Sequence, residues 1–193
     1  MDVPTSAFYS KNAEGLASQY RDAGVEYEER LLHAFGKARK ILDVGCGTGR
    51  DVCFLLRKGK DAYGLDSSKE MLLAAKAMLV TQGLSGEGRL FEDKLPDSGR
   101  FGEGEFDGVL CSAVLMHLPD EELFDAVYAL RRVLKPSGVP LVSVPTKRMD
   151  VDPLTRRDAH GRFFSDMSPA KLRLLFERIA FAVREPCSVS DGE

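Results

Sequence analysis

The segment that most constrains this chain is Lys40-Ile-Leu-Asp-Val44 running straight into Gly45-Cys-Gly47-Thr-Gly49-Arg-Asp51. A short apolar strand feeds a glycine-rich turn, and a helix with Val52, Leu55 and Leu56 on one face follows. Glycines let the backbone turn sharply and let a ligand approach with no Cβ in the way. Such a turn is the first strand-to-helix connection of a doubly wound sheet, where ligands bind at the carboxyl ends of the strands. The rest of the chain keeps the same alternation. Residues 61–65, 88–91, 106–111 and 139–144 read as further strands, and 181–188 as a sixth. Residues 67–80 read as a helix, with Ser67 and Glu70 as a capping box and Met71, Leu72, Ala75 and Met78 as its apolar stripe. A helix opening near Pro119 buries Leu123, Phe124, Val127, Leu130 and Leu134, and Pro136-Ser-Gly138 stops it. Another starts at Ser168-Pro169, with Leu172, Leu175, Phe176 and Ile179 facing inward. Strands and helices in this order need crossovers, and right-handed crossovers give a mostly parallel sheet covered on both faces.

The glycine spacing separates two ligand classes. Dinucleotide sites use G-x-G-x-x-G with a pyrophosphate over the helix N-terminus. Here the glycines are 45, 47 and 49, and position 50 is arginine. Asp43 stands just before them, where it repels a pyrophosphate and suits a ligand carrying an ammonium and a sulfonium. Asp66 ends the second strand, and a carboxylate there can accept both hydroxyl protons of a ribose. Asp93 ends the third strand, placed to accept from an adenine amino group while Leu95 covers the ring. Asp51, in the first helical turn, is expected to serve mainly the helix dipole.

At 193 residues the chain holds one domain, with residues 1–38 as a helical region in front of a core spanning 39–193. Gly24 divides that region into two helices, one carrying Ala13, Leu16, Ala17 and Tyr20, the other Tyr27, Leu31, Leu32 and Phe35. The net charge of -3 offers no broad basic field, so no DNA partner is expected. No apolar run approaches the roughly 20 residues that span a bilayer, and no secretion signal pattern opens the chain, so the expected compartment is the cytoplasm, with no membrane partner. Cys46, Cys53, Cys111 and Cys187 form no C-x-x-C pair, and His33, His117 and His160 lie far apart. Neither a disulfide framework nor a metal site is expected.

Taken together, these residues resemble the class I S-adenosylmethionine-dependent methyltransferases. The resemblance covers residues 9–181 and rests on motifs in order: Leu42-Asp-Val-Gly-Cys-Gly-Thr-Gly49, Asp66, Glu92-Asp-Lys-Leu-Pro96, Phe106-Asp-Gly-Val-Leu-Cys-Ser112 through His117-Leu-Pro119, and Leu130-Arg-Arg-Val-Leu-Lys-Pro136-Ser-Gly138. It implies a Rossmann-like doubly wound α/β fold of six or seven strands with an N-terminal helical lid, and S-adenosylmethionine as cofactor. Asp43, Gly45, Cys46, Gly47 and Gly49 would then hold the methionine part and Asp66 the ribose, with Ser67 and Met71 as further cofactor contacts. Asp93, Lys94 and Leu95 would hold the adenine. Ser112 would line the methionine end, and Tyr20 would be a lid contact. The family's sheet normally has an antiparallel last strand, which this sequence lacks after residue 188. The C-terminal sheet edge is therefore expected to be shortened, or completed by a second copy or a partner chain.

Methyl transfer from a sulfonium is an in-line displacement, and a proton must leave only if the acceptor is an alcohol or a protonated amine. His117, just past the fourth strand, is the candidate catalytic base, with helix capping as its alternative role. Tyr9 and Tyr20 are rival site residues. The basic stretch 146–162 is either an acceptor-recognition segment or a solvated loop, since Asp150, Asp152 and Asp158 interrupt its charges. The expected acceptor is a small molecule. The alternatives are a cofactor-binding module acting with a partner protein, or an RNA or protein methyltransferase.

Overall fold

Ile41, Leu42 and Val44 give β1 (Lys40–Val44) two apolar faces, and a strand apolar on both sides belongs inside a covered parallel sheet. The structure, a computed structural model, describes residues 1–19, 24–97, 99–145 and 148–182. It places β1 at the centre of a parallel sheet with β2 (Asp61–Asp66), β3 (Leu90–Glu92), β4 (Phe106–Ser112) and β5 (Leu134–Ser143), in the order β3-β2-β1-β4-β5. The chain builds outward from β1 to β3 and then crosses to the other side of β1. That reversal opens a crevice at the carboxyl ends of β1 and β4.

The pleat sorts the core. Ile41, Ala62 and Leu110 pack on one face with α2 (Val25–Phe35), α3 (Arg50–Arg57) and α4 (Lys69–Thr81). Leu42, Val44, Val109 and Cys111 pack on the other with α5 (Leu123–Val133) and α6 (Pro169–Glu177). Asp43 falls on the Ile41 side by alternation. Outside α4 lies α1 (Val3–Gln19), with Ala13 and Leu16 against Met71. No described helix is long and apolar enough to cross a membrane.

Several expectations shift. Ser68, not Ser67, caps α4: its Oγ accepts from the Met71 amide at 3.2 Å and donates to Glu70 at 3.1 Å. Phe124 is 45% exposed, one position off the buried stripe of α5. Strand β3 starts two residues later than expected. Strand β5 begins at Leu134, directly after α5, because the break at Pro136 is absorbed as a bulge. The ladder passes from Leu134 opposite Phe106 to Val139 opposite Gly108, so the intervening residues arch away where Pro136 has no N–H to give.

The sheet has five strands among the described residues, against the six or seven expected. Phe181 does not open a strand, since its amide donates to the Phe176 carbonyl at 3.2 Å and its ring packs on Phe176, folding the chain back on α6. The remainder of that expected strand, from 183 onward, lies outside the described residues, as does Cys187.

The described part of the basic stretch stays mostly exposed, with Asp158 buried, and the chain enters the core just beyond it. Phe164 and Met167 are buried in the α5-side core, and two antiparallel bridges, Val151–Asp158 and Arg157–Phe163, shape a small cap. Buried Asp158 takes the Arg162 guanidinium at 2.7 Å. Thr146 and Lys147 lie outside the described residues. This cap holds the start of α1: the Phe163 amide donates to the buried Thr5 Oγ1 at 2.8 Å, and Arg157 pairs with Asp2.

Candidate cofactor and acceptor site

The carboxyl ends of β1, β2, β3 and β4 surround a cavity of about 310 Å³. The glycine turn forms its floor. Gly45 has φ +72, and a Cβ there would lie 2.3 Å from Val114 Cγ2, so no other residue fits. Gly47 has φ +51 and open space where a Cβ would point, and it lines the cavity. The turn is drawn onto β2 by the Gly45 and Cys46 amides, which donate to the Leu65 carbonyl at 2.8 and 3.0 Å. Gly64 makes room for it, because a Cβ there would meet Cys46 Sγ at 2.7 Å.

Of the residues expected to bind a cofactor, Asp43, Gly45, Cys46, Gly47, Asp66, Ser67, Met71, Asp93, Lys94, Leu95 and Ser112 all line this cavity, and so does His117. Gly49 does not: a Cβ on it would sit 2.7 Å from the Ala75 Cβ, so its smallness serves the contact of the turn with α4. Tyr20 lies outside the described residues.

The acids differ in their bonding. Asp66 Oδ2 accepts from the Gly47 amide and Oδ1 from the Ser68 amide, each at 2.9 Å, which ties the turn to the start of α4. Burial raises the Asp66 pKa, and these amides oppose the rise. Asp93 Oδ1 accepts from the Lys94 amide at 2.8 Å. Asp43 is 3% exposed, and its carboxylate accepts no hydrogen bond from a described residue. Burial pushes its pKa well up, the Asp51 charge pushes it further, and Arg50 pulls it back.

Arg50, Asp51 and Tyr9 also line the cavity. Sequence reasoning passed over Arg50 and misjudged Asp51. Asp51 is 7% exposed and holds Arg50 in a fork, Nε to Oδ1 at 2.8 Å and Nη2 to Oδ2 at 2.9 Å. Tyr27 of α2 donates to the same Oδ2 at 3.0 Å, and its ring lies under the guanidinium at 4.9 Å. An arginine and an acid following obligatory glycines, at the same sheet edge as Asp43, were the available signal.

Opposite this cluster, the 3₁₀ turn Leu115–His117 buries His117. Its Nδ1 lies 2.7 Å from the Phe163 carbonyl, so Nδ1 carries the proton and donates. Nε2, 2.8 Å from the Tyr9 hydroxyl, therefore accepts. Burial drives the His117 pKa down to about 4; the Phe163 bond opposes this, and Arg162 and Arg148 add to it.

Residues 41–138, half of the chain, match the methyltransferase domain family. An uncharacterized methyltransferase of Synechocystis sp. is 39% identical over 130 residues, covering 64% of this chain and 58% of that protein. A ubiquinone biosynthesis O-methyltransferase of Methylococcus capsulatus is 37% identical over 112 residues, 58% of this chain and 45% of its own length. The chain thus spans about half the length of these curated relatives. A solved structure of Burkholderia thailandensis 1,6-didemethyltoxoflavin-N1-methyltransferase, with bound 1,6-didemethyltoxoflavin and S-adenosylhomocysteine, matches with a TM-score of 0.69 at 20% identity, over 92% of this chain and 79% of that one. That likeness is one of fold. The chain belongs to the methyltransferase domain family, and its fold is the class I, Rossmann-like one of the S-adenosylmethionine-dependent methyltransferases.

Proposed function

We propose that the protein is an S-adenosylmethionine-dependent methyltransferase acting on a small-molecule acceptor. The observation that carries this reading is a buried carboxylate with no hydrogen-bond donor among the described residues, Asp43, beside a glycine turn that lines the cavity and has open space where the Gly47 Cβ would be. Such a carboxylate calls for a cation, and the open turn leaves room for a ligand to lie on it. S-adenosylmethionine supplies an activated methyl group on a sulfonium together with that cation. Asp66 keeps lone pairs beyond its two amide bonds for the ribose hydroxyls. Asp93 and the Lys94 backbone serve the adenine, with Leu95 against its face.

The acceptor end is bounded by Tyr9 and His117. In this reading His117 is a positioning residue. It is neutral, and its one free nitrogen is engaged by the Tyr9 hydroxyl, so it orients that phenol toward the acceptor and excludes water. The relationship to an O-methyltransferase and the modest cavity volume both favour a small acceptor. Incubation with methyl-tritiated S-adenosylmethionine and a panel of catechols, phenols and N-heterocycles tests the reading. Label is expected in a small product. Label transferred only to added RNA or protein would sink the small-molecule assignment.

A further inference from the structure

Hydrogen-bond polarity runs through the acceptor end of the cavity in one direction. The Phe163 carbonyl can only accept, so the His117 Nδ1 that lies 2.7 Å from it carries the proton. The ring is neutral, since burial drives its pKa down to about 4, and its Nε2 is left as an acceptor. The Tyr9 hydroxyl, 2.8 Å from Nε2, therefore gives its single proton to His117. The phenolic oxygen meets other groups as an acceptor, and it already meets the Arg162 Nη1 in that way at 3.5 Å. The phenol is held in this sense from several sides. Its ring packs edge-on against Phe8 and against His117, each at 5.4 Å between centroids. The Arg162 guanidinium stands 5.9 Å from the same ring and is itself fixed by buried Asp158 at 2.7 Å. Residues 1–19 and 113–118 otherwise bring Met1, Ala113, Val114 and Leu118 to the cavity, all of them apolar. The polarity of the Tyr9 oxygen thus decides what a ligand at this end has to present.

We propose that Tyr9 sets the acceptor specificity by taking a hydrogen bond from the O–H or N–H group that is to be methylated, so that the cavity holds the acceptor and rejects the product in which that hydrogen has become a methyl group. This rests on the reading of the protein as a small-molecule methyltransferase. Methyl transfer breaks the bond from sulfur to the methyl carbon, with its electron pair going to sulfur. It joins the methyl group to the acceptor oxygen or nitrogen and releases the displaced proton to the medium. What stood at Tyr9 as a donor then stands there as a methyl group, facing an oxygen whose own proton is committed to His117. A site built to bond a donor discriminates against the analogue that lacks it, because its own polar group is left unpaired. The bond that selects the substrate is thus lost in the product, which favours release.

Two measurements test this, one of the polarity and one of the selection. In nitrogen-15 spectra of histidine-labelled protein at neutral pH, the imidazole assigned by its loss in His117→Asn should carry its proton on Nδ1. Its Nε2 signal should move in Tyr9→Phe as the phenol donor goes. A proton on Nε2 would overturn the proposal. Calorimetric titration of protein saturated with S-adenosylhomocysteine then compares catechol with veratrole, the same ring with both hydroxyls methylated. The wild-type protein should bind catechol at least about tenfold more tightly. Tyr9→Phe should weaken catechol to within about threefold of veratrole and leave veratrole unchanged. Veratrole bound as tightly as catechol by the wild type, or a preference that survives in folded Tyr9→Phe, would overturn the proposal. The two wild-type results decide it even if the variant does not fold. Where the acceptor panel places label in a different molecule, that molecule and its methylated product replace the pair. Label in no small acceptor removes the small-molecule reading and this proposal with it; label without discrimination between acceptor and product removes the proposal alone.

Discussion

His117 carries its history in its proton. The unfolded imidazole has a pKa near 6.5, and burial lowers the folded one to about 4. Between those values the unfolded chain binds more protons than the folded one, so stability rises with pH across that window and is lost as pH falls through it. The loss from pH 7 to below pH 4 should be about 3 kcal/mol. Urea unfolding of His117→Gln against wild type should show that acid slope flattened. An unchanged slope would mean that the imidazole is already protonated when folded. In turnover, His117→Asn should cost less than tenfold if the residue only positions Tyr9. A loss of about 10²–10⁴-fold, rescued at alkaline pH, would make it the general base.

Asp43 runs the other way. Its folded pKa is raised, so the folded state holds the proton more tightly, and stability falls as pH rises between the unfolded value and the raised one. The charged carboxylate is therefore a strain on the ligand-free protein at neutral pH. Asp43→Asn should raise the thermal midpoint of the ligand-free protein while weakening S-adenosylmethionine, and the wild-type affinity should fall with pH as the carboxylate protonates. A lower midpoint in the variant would contradict the absence of a hydrogen-bond donor to Asp43 among the described residues. Asp43 was legible in the sequence because it abuts the glycines. The environment that raises its pKa was not, because the Asp51 and Arg50 charges that act on it are held by Tyr27, which comes from α2 and reaches Asp51 across 24 positions.

At the level of elements, the sequence was most readable where local chemistry decides. Residues 40–44 form β1 because alternate apolar side chains feed both cores, and Ser168-Pro169 starts α6 because a serine Oγ caps the Lys171 amide while proline takes a position that needs no donor. It was least readable where a partner elsewhere decides, as in the bulge of β5 against Gly108 or the return of Phe181 onto Phe176. Gly49 shows the two together. Its φ of +78 is a local demand, and the 2.7 Å approach to Ala75 is a tertiary one. Gly49→Ala should cost about 2–3 kcal/mol in denaturant unfolding. Ala75→Gly alone should cost about 1 kcal/mol as a helix-interior glycine. The double variant should lose less than the sum, since the contact is relieved and only the backbone strain remains. Additive losses would mean that α4 yields at no cost.

Across the whole molecule, the cavity is closed by parts of the chain that are far apart in sequence. Met1 and Tyr9 bring α1 over it, and α1 is tied by Thr5 to Phe163, by Asp2 to Arg157, and by Ser10 to Ser68 at 3.0 Å. No local pattern could have revealed ties of this length. Thr5→Ala combined with Arg157→Ala should speed amide hydrogen exchange throughout α1 and leave β1 and β4 protected. Slowed exchange in α1, or equal acceleration in the central strands, would show that the helix is not held this way. Thr5 and Phe163 stand 158 positions apart. A ribosome emits the chain in order, so the sheet and its glycine turn can assemble while α1 still waits for the segment that anchors it. The cavity is thus roofed only after Phe163 has emerged, and a nascent chain has its floor exposed to solvent and chaperones until then.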